Sequence, residues 1–291
     1  MIVYFSGTGN TRHCAMLLSR LLGDVPVELT RNMLENPEKC ALPAPDKERR
    51  IIWMFPVYSW GIPVKVLRAM RHIHIPDVHS LTNWMVCTCG DDIGRTAHLW
   101  RRAMRRRHLR TAAAFSVQMP NTYVFMKGFD VDSPELEHKK IADAEDRLHK
   151  IAALIAAGRP TPDSIVPGRW AWVKTALIRP YFNAFCTGTG PFAATDACVG
   201  CGLCARRCPM QNITITAQHR PAWGNDCLLC TRCYHICPAH AVAYGRTTRG
   251  KGQFTKWLTP PSELRRARYK KYGESVGAAY YSSMQVQRIT R

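Results

Sequence analysis

A chain of 291 residues is long enough for about two domains of ordinary size. Hydrophobic residues at 46% and charged residues at 21% exclude a low-complexity or wholly disordered polypeptide. The unusual features are 41 Lys+Arg against 21 Asp+Glu, a formal charge of +20, and 13 cysteines. Met1 to Gly7 show no basic leader, long apolar run or cleavage site, so export is not expected and a cytoplasmic location is. In a chain that stays inside the cell, many cysteines point to metal or redox chemistry rather than to disulfides.

Residues 1–158 alternate short apolar runs with helix-like segments. The strand candidates are Ile2 to Phe5, Val25 to Leu29, Ile51 to Phe55, Trp84 to Thr88 and Ala112 to Val117. Helices are expected at Thr11 to Leu22, at Pro63 to His72 with proline in the first turn, and at Gly94 to His108. A last helix should run from Ser133-Pro134 to Gly158, because Ile141, Ala144, Leu148, Ile151 and Ile155 recur at steps of three and four. Such alternation implies a parallel sheet with helices on both faces, a doubly wound α/β domain.

Ser6-Gly7-Thr8-Gly9-Asn10-Thr11 follows the first strand and opens a helix. Free amides and the positive helix end then face an anion, hydroxyls add donors, and the glycines allow close approach, which suits a phosphate. The string is neither the dinucleotide G-x-G-x-x-G nor a Walker loop; taken alone it could also be a tight connection. Val3 to Thr11, with Ala15 and Leu18 on the helix, resembles the flavodoxin phosphate loop. Pro56-Val57-Tyr58-Ser59-Trp60-Gly61 follows the third strand and Thr88-Cys89-Gly90-Asp91-Asp92 the fourth, where flavodoxins hold the isoalloxazine ring of FMN. The resemblance implies that Ser6, Thr8, Asn10 and Thr11 bind the FMN phosphate and that Tyr58 or Trp60 stacks on the ring. Flavodoxins commonly carry an aromatic in the fourth-strand loop; here Cys87 to Gly94 has none, so one ring face is expected to be open.

Residues 159–195 break the rhythm with Pro160, Pro162, Pro167, Pro180 and Pro191 and carry Trp170, Trp172, Tyr181, Phe182 and Phe185. They read as a linker whose aromatics pack against the domains it joins, or, since Arg169, Lys174 and Arg179 interleave with them, as a contact with an anionic membrane surface. The same cations interrupt the apolar stretch Ile165 to Cys186, so no spanning helix is expected.

Residues 196–245 contain a duplication. Cys198-x2-Cys201-x2-Cys204-x3-Cys208-Pro209 recurs 29 residues later as Cys227-x2-Cys230-x2-Cys233-x3-Cys237-Pro238. A cubane cluster needs four thiolates, and in this spacing the fourth cysteine of each run serves the other cluster. Cys198, Cys201, Cys204 and Cys237 are thereby assigned to one [4Fe-4S] cluster, and Cys227, Cys230, Cys233 and Cys208 to a second. Ile213 and Val242 should shield them. Paired CxxC units also build zinc sites, but zinc does not call for the third cysteine or for Cys-Pro in both copies. The segment resembles the bacterial two-cluster ferredoxins, and the whole order resembles flavodoxin-ferredoxin fusion proteins, with Met119-Pro120-Asn121-Thr122-Tyr123 similar to a segment of theirs. The implied fold is an α/β doubly wound flavodoxin-like parallel sheet plus a small α+β two-cluster ferredoxin domain.

Residues 246–291 form a basic tail, with 11 Lys+Arg against Glu263 and Glu274. Arg101, Arg102, Arg105, Arg106, Arg107 and Arg110 crowd one helix. This field suits an acidic redox protein as donor, or an anionic membrane to which the protein is peripheral; no DNA- or RNA-binding motif accompanies it. The expectation is an iron-sulfur flavoprotein that takes single electrons from a low-potential donor through two clusters to FMN, which reduces an unknown acceptor or substrate. A relay without a substrate of its own is the other reading. Asp91, Asp92 and Tyr123 are weak candidates for a proton donor. Of the remaining cysteines, Cys14, Cys40, Cys87 and Cys186 read as small hydrophobes, while Cys89 lies in the flavin loop.

Overall fold

The computed structural model describes residues 1–44, 49–159 and 161–258. Five parallel strands form the main sheet: β1 (Ile2–Tyr4), β2 (Pro26–Glu28), β3 (Arg50–Pro56), β4 (Thr82–Cys89) and β5 (Arg110–Gln118), in the order β2-β1-β3-β4-β5. That is the flavodoxin-like doubly wound order. β1, β3 and β4 are almost wholly apolar because they are covered on both faces. Val3, Phe5, Ile51, Trp53, Phe55 and Met85 face α2 (Arg31–Glu35), α3 (Val64–His72) and α4 (Thr96–Arg106). Ile2, Ile52, Met54, Trp84 and Val86 face α1 (Asn10–Leu22) and α5 (Pro134–Ala157). α5 starts where expected because the Ser133 hydroxyl accepts from the Leu136 amide and Pro134 presets the first turn.

Buried polar groups on the sheet are paired. Trp53 Nε1 donates to Asn83 Oδ1 at 3.0 Å, and Asn83 Nδ2 to the Arg110 carbonyl. Arg50 and Asp24 form a buried ion pair at 2.9 Å.

The stretch expected to be a linker is partly helical. α6 (Ala171–Val173), a π turn (Lys174–Ile178) and α7 (Arg179–Phe185) run on one another and lie against the carboxyl ends of β3 and β4. Thr175 donates to the Trp60 carbonyl and accepts from the Arg95 amide, Lys174 pairs with Asp92, and Arg179 donates to the Ile62 carbonyl. The ferredoxin-like unit contains α8 (Leu203–Arg206), α9 (Arg232–His235), the hairpin β7 (Ile213–Ile215) with β8 (Pro221–Trp223), and β6 (Phe192–Ala194) paired with β9 (Val242–Tyr244). β6 lies before residue 196, so this unit's sheet draws on chain expected to be linker. Residues 246–258, expected to begin the tail, fold back on the body through Lys251, Gln253 and Trp257. The rest of the basic tail lies outside the described residues. Among the described residues no helix is long and apolar enough to cross a membrane.

The two units meet over the carboxyl edge of the sheet. Met210 is buried in the main core, with Cys208 and Leu228 packed beside it. His235 is fully buried; its Nε2 bonds the Thr122 carbonyl at 2.7 Å and its Nδ1 accepts from the Phe254 amide at 3.1 Å, which specifies the neutral Nε2–H form. Burial lowers its pKa to about 4. The unfolded chain therefore binds this proton more readily, so His235 contributes stability in full above about pH 6.5 and loses it as pH falls toward 4. Urea melts should show this decline with a slope of up to about 1.4 kcal/mol per pH unit, and His235→Gln should flatten it. Asp24→Asn, which strands a buried guanidinium, should cost about 3–5 kcal/mol in the same melts.

Candidate iron-sulfur and phosphate-loop site

The cysteines of the two runs lie close enough to one another to interact electrostatically within each expected set. Cys198, Cys201, Cys204 and Cys237 line one cavity, walled by Leu203, Ile215, Pro221 and Val242. The Cys204 thiol is pushed up to about 12 by burial first and then by Cys237, Cys201 and Cys198, which lie within electrostatic reach of one another. In the second set burial again dominates: Cys227 rises to about 12, with Cys230 and Cys208 adding to it, and Cys233 feels Cys230, Cys227 and Cys208. Four thiolates in an apolar cage need a compensating cationic core, and an iron-sulfur core supplies it. Backbone amides already point at sulfur in matching places: Asn212 N to Cys208 Sγ at 3.4 Å and Ala241 N to Cys237 Sγ at 3.3 Å. Such bonds tune a cluster's potential.

The turns that present these cysteines need left-handed backbone. Gly200 and Gly202 have φ of 65° and 70°, and a Cβ on Gly200 would come within 2.9 Å of His219. In the second copy the equivalent residues are Leu229 and Thr231, at φ 49° and 62°.

At the rim of the sheet, Gly9 (φ 99°) ends the loop that opens α1. Ser6 Oγ accepts from the Gly9 and Arg12 amides at 3.2 Å each. The amides of Gly7, Thr8, Asn10 and Thr11 find no acceptor among the described residues, although these side chains are buried. Thr11 bonds Thr88, Thr8 bonds Thr122, and Asn10 holds the Pro120 carbonyl. In the loop after β3, Tyr58 and Gly61 bond each other's backbone, Ser59 and Trp60 are left-handed, and Ser59 Oγ is buried without a partner. Unpaired amides, converging hydroxyls and an orphaned serine are the chemistry a flavin phosphate and ribityl chain require, so the residues present suit FMN.

Tyr58 is half-buried with its hydroxyl against Gly7, and Trp60 carries Lys174 over its ring at 5.3 Å. Pro56 ends β3, Val57 N donates to the Thr88 carbonyl, and a Cβ on Gly90 would fall 1.8 Å from Asn121 Oδ1. Asp91 lends its carbonyl to Gln118, Asp92 is paired with Lys174 at 2.6 Å, and Tyr123 sits among Phe125, Phe129 and Phe182. The Cys89 thiol is pushed up to about 12 by burial and then by Asp91 and Asp92, so it stays protonated and behaves as a small hydrophobe.

Cys230 of the second set packs directly on Gly7: a Cβ there would lie 3.0 Å from Cys230 Cβ and 2.2 Å from Tyr58 Oη. Arg232 donates to the Ser6 carbonyl at 2.9 Å and to the Gly7 carbonyl. Trp257 covers Gly9, stacks on His13 at 4.2 Å and donates to Asn10 Oδ1. Sequence reasoning missed Arg232, Trp257, Thr122 and Thr175 as parts of the site. Arg232 lies inside the second cysteine run and Thr122 inside a noted segment, whereas Trp257 was hidden in a stretch read for its charge.

Residues 194–214 match the family of the 4Fe-4S binding domain. No curated protein matches the chain. Among solved structures it is similar to a flavoprotein of Bacteroides uniformis (16% identity, 49% of this chain and 96% of that one, TM-score 0.32) and to a Streptococcus pneumoniae flavodoxin (16%, 54% and 97%, 0.32). A third is the rubredoxin oxygen:oxidoreductase of Desulfovibrio gigas (14%, 54% and 35%, 0.33). The strand order defines an α/β unit of flavodoxin-like topology, and the matched cysteine segment a 4Fe-4S binding unit joined to it.

Gly200→Val should drive its branches into His219 and disable the first set alone, lowering iron to about half on chemical assay. Gly7→Ala should part Cys230 from the phosphate loop, with a stability loss of about 1–3 kcal/mol in denaturant titration.

Proposed function

We propose that this chain takes single electrons from an acidic, low-potential redox protein and passes them through two [4Fe-4S] clusters to FMN, which reduces a final acceptor. The observation that carries the reading is the seat of Cys230 on Gly7, which sets the second thiol cage against the phosphate loop. Cys227, Cys230, Cys233 and Cys208 would hold the inner cluster, and Cys198, Cys201, Cys204 and Cys237 the outer one. The Gly7, Thr8, Asn10 and Thr11 amides, with the Thr8 and Thr11 hydroxyls, would hold the FMN phosphate. Clusters supply one-electron transfer, and a flavin exchanges one electron or two. Around them Leu203, Ile213, Val242 and Met210 exclude water, and Arg232 holds the two units in register.

The donor surface is cationic. Of the α4 arginines, Arg101 is tied to Asp163 and Arg107 to the Met70 and Ile73 carbonyls, while Arg102, Arg105, Arg106 and the adjacent Arg110 are exposed. Such a field speeds encounter with acidic partners, increasingly so at low salt. A relay to a second protein is the other reading, favoured by Thr175 and Arg179 seated on the loop after β3.

Anaerobic purification with iron, sulfide and flavin assays tests the scheme. About eight irons and one FMN per chain are expected. Cys230→Ser should remove about four irons and slow reduction of bound flavin by dithionite-reduced ferredoxin at least tenfold. Iron without flavin, or zinc in place of iron, would refute it. Turnover of small acceptors separates an oxidoreductase from a relay.

A further inference from the structure

Among the described residues, one face of the helix over residues 171–185 has no cover. Its inner side is seated on the body through Thr175, Arg179 and Phe182. Trp170 is 72% exposed, and along the outer side Leu177 is 56%, Ile178 42%, Tyr181 63% and Phe185 74%. Trp170 stands exposed just before the helix, in a left-handed conformation, while Leu177 and Ile178 at the end of the π turn and Tyr181 and Phe185 on α7, spaced by 1, 3 and 4, fall on one side and form an apolar stripe. Single exposed apolar residues are ordinary, but a contiguous row of large ones marks a contact surface.

We infer that this stripe docks on an anionic lipid surface. Three observations select that occupant. The protruding residues are two large aliphatics with Trp, Tyr and Phe, the side chains that settle at the boundary of headgroups and acyl chains. The surrounding chain is cationic: residues 164–195 contain no Asp or Glu, Arg169 stands exposed beside Trp170, and the whole molecule carries +20. A second copy would bring the same positive charge to the contact, whereas anionic headgroups neutralise it. The helix is also fastened to the body at Trp60, Asp92 and Ile62, so docking would hold the loops after β3 and β4 close to the lipid surface. That placement suits a final acceptor dissolved in or bound to the membrane.

The test is flotation of the anaerobically purified full-length holoprotein with phosphatidylglycerol vesicles, beside phosphatidylcholine vesicles. The protein should float with phosphatidylglycerol and much more weakly with phosphatidylcholine. The Trp170→Ser/Phe185→Ser variant should lose at least tenfold in partition while keeping its iron content and visible spectrum, since both side chains are exposed. Brominated acyl chains should quench tryptophan fluorescence in the wild type, and less in the variant. Absence of flotation, or flotation undiminished in the variant, would overturn the inference. Self-association, or binding to an acidic ferredoxin, that the double substitution abolishes while flotation persists would assign the stripe to a protein instead.

Discussion

The arrangement of the molecule depends on the contact between Arg232 and the back of the phosphate loop. The carbonyls of Ser6 and Gly7 accept from its guanidinium, while the amides of Gly7, Thr8, Asn10 and Thr11 find no acceptor among the described residues. One stretch of backbone thus serves two neighbours, its acceptors holding the ferredoxin-like unit and its donors left for an anion. This works only because Gly7 has no side chain. Any Cβ would displace Tyr58 and Cys230, and with them the second thiol cage. His235, bonded on one side to Thr122 and on the other to Phe254, pins the same seam without a charge.

Burial and charge act together at the cages. Burial raises the thiols of Cys204, Cys227 and Cys233 and the neighbouring cysteines raise them further, so the cages hold thiolates only against a cationic core. Eight thiolates and two cores of charge +2 would add a net −4, and an FMN phosphate roughly −2, which leaves the molecule strongly cationic. The positive excess is a property of the exterior, and the cofactors do not cancel it. Within that exterior, Arg101 and Arg107 are structural ties, so fewer arginines are left to the surface than the run suggests.

Much of this was legible in the chain. Strands covered on both faces read as unbroken apolar runs, and β1, β3 and β4 appear where those runs lie. The two cysteine runs were plain because a repeat of 29 residues duplicates chemistry as well as length. What stayed hidden has physical reasons. The helix over residues 171–185 was masked by Pro180, whose missing N–H would break a regular turn; here it follows a π turn and falls in the first turn of α7, where that donor is not needed. β6 is three residues long and makes sense only beside β9, a partner about 50 residues away. The cation over one face of Trp60, Lys174, could not be foreseen because that pairing depends on where the helix docks.

The two cysteine loops show how context sets the choice of residue at one backbone conformation. Both require left-handed residues at the third and fifth positions of the C-x2-C-x2-C run. In the outer loop the turn at His219 lies over Gly200, so no side chain fits and glycine is needed on steric grounds alone. In the inner loop Leu229 adopts the same conformation, at a cost of about 1–2 kcal/mol for a residue with a Cβ. Leu229 is 6% exposed and packs in the aromatic core of the ferredoxin-like unit, and burying a leucine contributes about 1.5–3 kcal/mol. Burial offsets the backbone strain, so the inner loop gains core without losing its turn. Thr231 makes a similar exchange by donating to the Cys230 carbonyl. The inner cage is therefore the more firmly packed of the two, on the side that meets the sheet, while the glycine-built outer loop remains on the side away from it.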